Sequence, residues 1–568
     1  MADLAGWLGL SAEEAPVWER QRREGATFWR PSWRTASAPP RSASGLLAEN
    51  PAELWRGFDL HPDGRPTIVH RRWWDEKSFA EVNVEKAQRE LGEFVDFWLS
   101  GSEGLCREHG GFCCELFHSG KRASSKKFAW YQARGAWVFA RLSRRLGAVG
   151  GPPAEYMAIA LRAAKFFMAK CMVEPLPRED PGERAVRCMV RSARAGCFNI
   201  VGPGGETLDV TAVDEVGYSS MFFAEALIEL WACHRQAAAA RQGWTAEHVP
   251  WWVKYGLRFA AVLTAEFLRR ADDPTRTACP SYWPQQTPAP GIRCLGYSMI
   301  PMRVATQALQ AWADFGGAGD PGGPVAALWE RCVSDRCVAE IMDKYYDPNT
   351  GLFVELAASD FGRPADDNAG VYYYGHALES LWMVMDECTR RIGETPATTA
   401  GVAESAPLID AFREAANRFR RTFECARDRA FGGLLVGMEI KDGGGWSKSL
   451  DEKIGLLHQE ALVGLLTIAA STAVGDELRT WAINEHHALS AWVARKFELR
   501  PHGYSGWMVG GKRDIAFVEH GDAWEATATG DGAQHRKENY HTPRYLMMTA
   551  DLLGQILETK REALNPPT

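Results

Sequence analysis

Five short β-type runs in this chain open on glycine, peak on an aromatic or apolar residue and close at a glycine-rich turn. They are Gly110-Gly111-Phe112 through Gly120, Gly196-Cys197-Phe198 through Gly205, Gly351-Leu352-Phe353 through Gly362, Gly432-Gly433-Leu434 through Gly445, and Gly506-Trp507 through Gly511. A long amphipathic segment follows each. Recurrence over several tens of residues marks a repeat architecture. Helical periodicity places helix starts near Val84, Lys126, Pro153, Asp214, His248, Ser298, Val325, Gly370, Pro407, Asp451, Asp476 and Lys537. The runs fall after the first, third, seventh, ninth and eleventh of these. The place after the fifth, Ala271 to Gly291, carries Pro280, Pro284, Pro288 and Pro290 and reads as a loop. Helix pairs with an irregular segment after every odd helix predict an all-α fold, an (α/α)6 barrel with short β-hairpins at one mouth. No βαβ alternation with buried Val/Ile strands is present, which excludes a layered α/β fold.

Composition limits the function. The net charge of −7 leaves no basic footprint for nucleic acid or an anionic membrane. No apolar stretch reaches the roughly 20 residues that span a bilayer. Met1 to Arg20 lacks a basic-then-apolar leader pattern. The 13 cysteines are scattered, with Cys113-Cys114 adjacent, and form neither a disulfide framework nor paired Cys-x-x-Cys units. Together with the absence of a His-x-x-x-His helix, this predicts no metal site, and reduced thiols in a cytoplasmic protein. The 23 tryptophans suit a sugar pocket and thick helix packing equally. Residues 1–80, with a Ser/Pro/Ala-rich linker at Pro31–Ser44, read as an extension, 81–560 as the barrel and 561–568 as a tail.

Four helix starts carry candidate chemistry. In Lys127-Phe128-Ala129-Trp130-Tyr131-Gln132-Ala133-Arg134-Gly135-Ala136-Trp137, the side chains of Trp130, Arg134 and Trp137 share one helical face. A guanidinium held there can stabilise a developing oxyanion. In Tyr373-Tyr374-Gly375-His376-Ala377-Leu378-Glu379, followed by Trp382, Glu379 lies one turn from His376 and is expected to orient its imidazole. His458 and Glu460 are two apart and face different ways, so at most one points inward. A buried Glu460 requires a partner. In Tyr540-His541-Thr542-Pro543-Arg544, His541 sits at a helix start, where the dipole favours the neutral imidazole, a competent base. His109, His118, His486 and His487 are expected to be non-catalytic.

These stretches resemble the N-acylglucosamine 2-epimerase and cellobiose 2-epimerase superfamily. The likeness runs from about Val84 to Leu557 and is carried by Gly110–Phe112, Lys127–Trp137, Tyr374–Glu379 and Tyr540–Arg544 in the family's order. It implies two histidines, here His376 and His541, on opposite faces of an open-chain sugar, one removing the C2 proton and the other returning it. It implies Arg134 for the enediolate charge, with Arg544 assisting, Glu379 and Glu460 in the site, and Trp130, Trp137, Tyr374 and Trp382 against substrate. No cofactor is implied; the partner is a small-molecule sugar, and the assembly a possible homodimer. Two positions depart from the family pattern: Gly455-Leu456 stands where paired tryptophans are usual, and Pro301-Met302-Arg303 lacks a further histidine.

The leading expectation is a 2-epimerase acting on an N-acylhexosamine. An aldose–ketose isomerase shares the enediolate and is the runner-up. Glycoside hydrolysis by two of Glu379, Glu460 and Asp531 leaves the histidines unexplained. The departure at Gly455-Leu456 would suit a sugar-binding homologue without activity. Each candidate sits near the start of a helix fed by a glycine-led run, so Arg134, His376, Glu460 and His541 are expected to converge at one mouth.

Overall fold

The computed structural model describes residues 76–113, 115–116, 120–145, 153–202, 204–206, 213–214, 218–239, 249–275, 291–316, 326, 329–364, 370–395, 399–429, 432–440, 446–450, 453–497, 508–509 and 539–564. The extension up to residue 75, the linker, the stretch 276–290, Cys114, His118, Gly506-Trp507, Asp531 and residues 565–568 lie outside these. In chain order the helices are α1 (Glu76–Asp96), α2 (Ala129–Arg144), α3 (Pro153–Phe166), α4 (Ala185–Ala195), α5 (Tyr218–Ala239), α6 (Gly256–Ala271), α7 (Gly296–Phe315), α8 (Asp335–Ala339), α9 (Tyr374–Glu394), α10 (Thr399–Ala426), α11 (Gly455–Ala470), α12 (Asp476–Phe497) and α13 (His541–Leu564). Short α8 is continued on both sides by π-type turns, Trp329–Ser334 and Glu340–Lys344. The described helices divide into two compact units. The first spans 98–343 with 357–364; the second holds α1, 344–356 and everything from 370 on.

Burial sorts the helices as their sequences require. From Tyr218 to Cys233, α5 is buried on every side, and so is α11 apart from Leu456 and Ala470. A helix apolar all round belongs in the interior. By contrast α3 and α10 alternate buried with accessible positions. In the first unit α2 packs on α3 and α5, and α5 on α6 and α7. In the second, α9 packs on α10 and α11, α11 on α12 and α13, and α13 on α1.

Three helices differ most from the sequence reading, and the first of them, α1, begins at Glu76, eight residues before the expected start near Val84. Helix α4 was not expected. Its buried stripe, Ala185, Met189, Ser192 and Ala193, lies opposite the exposed Arg187, Arg191 and Arg194, so its period is clear; the sequence reading ran a single helical segment from Pro153 to the second run and passed over it. Helix α10 starts at Thr399, with Pro407 inside it. Proline's preference for a first turn makes it look like a start, though a continuing helix tolerates it at a cost.

The glycine-led runs are tight turns more than hairpins. Gly110, Gly111, Gly196, Gly351, Gly432 and Gly433 all have φ between +68° and +80°, a region other residues rarely enter. Most strands pair across runs. Lys127–Phe128 pairs antiparallel with Ile200–Val201 in the first unit. In the second, Val371–Tyr373 pairs with Gly437–Ile440 and Lys453–Ile454 with Met508–Val509. These strands run straight into α2, α9 and α11: Phe128, Tyr373 and Ile454 are extended and make no side-chain cap. Strand pairing continues onto the helix instead. Ala129 N–H donates to Asn199 O at 2.9 Å, and Tyr374 N–H to Val436 O at 3.0 Å, satisfying first-turn donors that would otherwise be orphaned.

Candidate functional site

In the second unit the starts of α9, α11 and α13 bring Glu379, Trp382, Glu460, His541 and Arg544 together. All five are buried, with Trp382 and Glu460 wholly inaccessible. His541 Nδ1 lies 2.8 Å from Glu460 Oε1. Arg544, one turn further along α13, places Nη2 2.5 Å from Glu379 Oε1 and 2.6 Å from Glu460 Oε1. Trp382 Nε1–H donates to Glu460 Oε2 at 2.9 Å, and Arg544 Nη1 donates to Tyr540 Oη at 3.1 Å. A carboxylate inside a protein is tolerated only when its lone pairs are used and its charge is met. Glu460 meets both conditions through three side chains.

This geometry sets the state of His541. Arg544 Nη2 lies 3.2 Å from Nδ1, and a guanidinium can only donate. Nδ1 cannot both donate to Glu460 and accept from Arg544. The anionic oxygen is the stronger partner, so Nδ1–H points to Glu460 and Nε2 is left as the basic nitrogen. Donor atoms of Glu379, Glu460 and His541 lie within 4.8 Å of one another, a spacing a metal ion could also use. Arg544 Nη2 bridges the two carboxylates in that group and supplies a fixed positive charge.

His376, third residue of α9, is oriented differently from the sequence expectation. Its carboxylate partner is not Glu379, which is drawn to Arg544, but Glu355, with His376 Nδ1 2.9 Å from Glu355 Oε1. Glu355 is 5% exposed, and its backbone N–H donates to Val371 O at 2.7 Å, which ties it to the strand leading into α9. Sequence reasoning passed over Glu355. The available signal was an acid flanked by the apolar Phe353, Val354 and Leu356 within the third glycine-led run. The Tyr373 ring stands edge-on to the imidazole, 4.6 Å between centroids. Burial, and then the nearby carboxylates Glu355 and Glu379, push the Tyr373 phenol up, so it stays neutral. Tyr374 is also buried, with its phenol pushed up by burial.

Between His458 and Glu460, Glu460 is the residue turned into the cluster. His458 Nε2 accepts the Leu434 N–H at 2.9 Å, Nδ1 donates to Ile454 O at 2.8 Å, and the ring stacks on Trp492 at 4.9 Å. Both ring nitrogens hold backbone in place.

Arg134 belongs to the first unit. Its guanidinium carbon lies 4.8 Å from the Trp130 ring centroid and 4.0 Å from that of Phe222, a flat cation on aromatic faces. Trp137 is buried and its indole N–H donates to Gln307 Oε1 at 3.1 Å, so its polar edge is used between α2 and α7.

No family model matches the chain. It is 22% identical to the N-acylglucosamine 2-epimerase of Bos taurus over 481 residues, 83% of this chain and 92% of that protein. Against the enzyme of the same name from Mus musculus it is 25% identical over 156 residues, and the match spans only 32% of that relative's length. Among solved structures it is similar to the cellobiose 2-epimerase of Spirochaeta thermophila, with a TM-score of 0.54, 17% identity, and coverage of 87% of this chain and 100% of that one. The fold class is therefore the (α/α)6 architecture expected from the repeats. In sequence the chain is similar to N-acylglucosamine 2-epimerases, and in fold to a cellobiose 2-epimerase. Among the described residues, no helix is long and apolar enough to cross a membrane.

Proposed function

We propose that this protein is an isomerase, a cofactor-independent sugar 2-epimerase acting on the open-chain form of an aldose, with an N-acylhexosamine as substrate. The observation that most supports this reading is the pair of histidines, each joined through Nδ1 to a buried carboxylate: His541 to Glu460 and His376 to Glu355. A C2 proton is acidic only beside the free aldehyde, so the ring opens first. Nε2 of one histidine takes that proton, and the C2–H bonding pair moves into an enediolate. The other histidine delivers its proton to C2 from the opposite face. Each general acid–base contributes about 10²–10⁴-fold. Arg134, with Arg544 assisting, offsets the enediolate charge, a contribution of similar size. No electron leaves the substrate, so the scheme needs no redox group. The names of the relatives point to the same chemistry. A homodimer in the cytoplasm is the matching assembly and compartment, checked by light scattering and by cell fractionation.

The test is an aldose panel turned over in heavy water and followed by proton NMR. Deuterium at C2 of an epimeric aldose is the expected result. A ketose product would move the assignment to aldose–ketose isomerisation, and binding without turnover would make the protein a sugar-binding homologue. His376→Ala and His541→Ala should each abolish turnover while the fold is retained; near-wild-type activity in either refutes the two-histidine scheme.

A further inference from the structure

The two histidine–carboxylate pairs differ in charge. Glu460 is shared among His541, Arg544 and Trp382, and the Arg544 guanidinium lies 3.2 Å from His541 Nδ1. A proton added to His541 therefore meets a carboxylate and a cation at nearly the same range. Glu355 makes its ion pair, among the described residues, with His376 alone. Among the described residues, His376 meets Glu355 from the strand segment and the neutral Tyr373 ring before the helix; Glu379, one turn on in the sequence, has its charge engaged by Arg544. From α11 the neighbour at this turn is apolar: Leu457, against Gly375.

We propose, building on the two-histidine reading of this site, that Glu355 is the positioning residue of His376 and holds it as an imidazolium in the resting protein. The two histidines then enter the reaction in opposite protonation states: His541 neutral and ready to accept a proton, His376 charged and ready to give one. Two neutral or two charged histidines would leave one of the two transfers without a donor or an acceptor. Opposite charge within about 4–6 Å raises an imidazole pKa by roughly one to three units over its ordinary ~6.5. A fixed Nδ1–H···Oε1 contact also turns Nε2 toward the substrate side, as required of the nitrogen that transfers the proton.

The experiment is a ¹⁵N-histidine NMR titration of the full chain, with the His376 signals identified by their loss in His376→Asn. His376 in the wild type should titrate above ~6.5, and Glu355→Gln should lower that midpoint by roughly one to three pH units. Glu355→Asp, which keeps the charge, should retain most of the elevation. A wild-type midpoint at or below ~6.5, or one unmoved by Glu355→Gln, overturns the proposal; the wild-type measurement suffices if the variant does not fold. In turnover, Glu355→Gln should lower kcat by about 10- to 100-fold, part of what one general acid supplies, with little change in KM. Its alkaline limb should move to lower pH, because the imidazolium is lost sooner. A merely structural role would leave that limb in place. An elevated His376 midpoint without turnover of any aldose would uphold the Glu355 assignment and overturn the epimerase reading instead.

Discussion

The repeat at Gly110 in the first unit and the repeat at Gly432 in the second are built from the same parts. Each opens on two glycines at positive φ, 80° and 74° in one, 78° and 68° in the other. Each has a wholly buried lysine on the strand before its helix: Lys127 donates to Gly110 O at 2.7 Å, and Lys453 pairs with Asp428 at 2.9 Å. Five residues after each lysine, a side chain reaches back to the turn. Gln132 brackets Phe112, accepting its N–H at 2.6 Å and donating to its C=O at 2.8 Å, while His458 accepts the Leu434 N–H. Seven residues after each lysine the two differ. The first repeat carries Arg134, a cation on aromatic rings; the second carries Glu460, an anion holding His541. The run at Gly351 follows the same spacing, with Tyr372 donating to Asp347 at 2.8 Å and Glu379 seven residues on. Turn, lysine and back-bonding residue are scaffold. The sixth helical residue is where each repeat differs in chemistry.

Substitutions can break that division. At the sixth helical position, Arg134→Ala and Glu460→Gln should each lower kcat/KM by about 10²–10³-fold, the range for losing a charge-stabilising group, with the fold retained. A large loss of stability with activity intact would reverse the assignment. Among scaffold residues, Lys453→Met removes the buried cation 2.9 Å from the Asp428 carboxylate and should destabilise by about 3–5 kcal/mol in denaturant unfolding. Lys127→Met leaves a carbonyl short of a donor and should lose about 1–3 kcal/mol; equal losses would mean that the two lysines do the same work.

A second parallel is sharpened by pH. Glu266 on α6 binds Arg269 and Arg270 at 2.6 and 3.0 Å, and Glu387 on α9 binds Arg390 and Arg391 at 2.8 and 2.7 Å. Burial alone would raise the Glu387 carboxyl, but its arginines hold it down at about 2. A lowered folded-state value stabilises above the unfolded ~4.3 and fades as pH falls toward 2. Glu387→Gln should therefore lose roughly 3 kcal/mol near neutrality, and its difference from wild type should shrink below pH ~4; a pH-independent difference would contradict this. A smaller effect than that of Glu387→Gln is expected for Gly433→Ala, about 2 kcal/mol, seen as a lower unfolding temperature. Its φ is +68°, and a Cβ there would sit 2.6 Å from the Trp492 ring.

Much of the fold was legible because its signals are local. Positive-φ glycines and helical periodicity act within a few residues, and they located the turns and most helix starts. Helix α4, only 11 residues long, escaped because the stretch before the second run was read as one helix from Pro153, and the start of α10 was displaced by Pro407. In the site, His376, Glu379, Glu460, His541 and Arg544 were readable as charged or titratable residues at helix starts. Their partners were not. Spacing of one turn suggested Glu379 for His376, whereas Glu355 holds it and Glu379 holds Arg544.

By itself, the sequence determined the repeat, the helical class and the residue types placed at each inner helix start, since these follow from backbone sterics and amphipathic period. Only the tertiary structure decided which carboxylate meets which histidine, that His458 serves the backbone while Glu460 serves His541, and that Arg544 lies between two acids. The physical reason is range. Ion pairs and hydrogen bonds are chosen by distances across elements separated by tens of residues, 81 in the case of Glu460 and His541, and no local pattern encodes that choice.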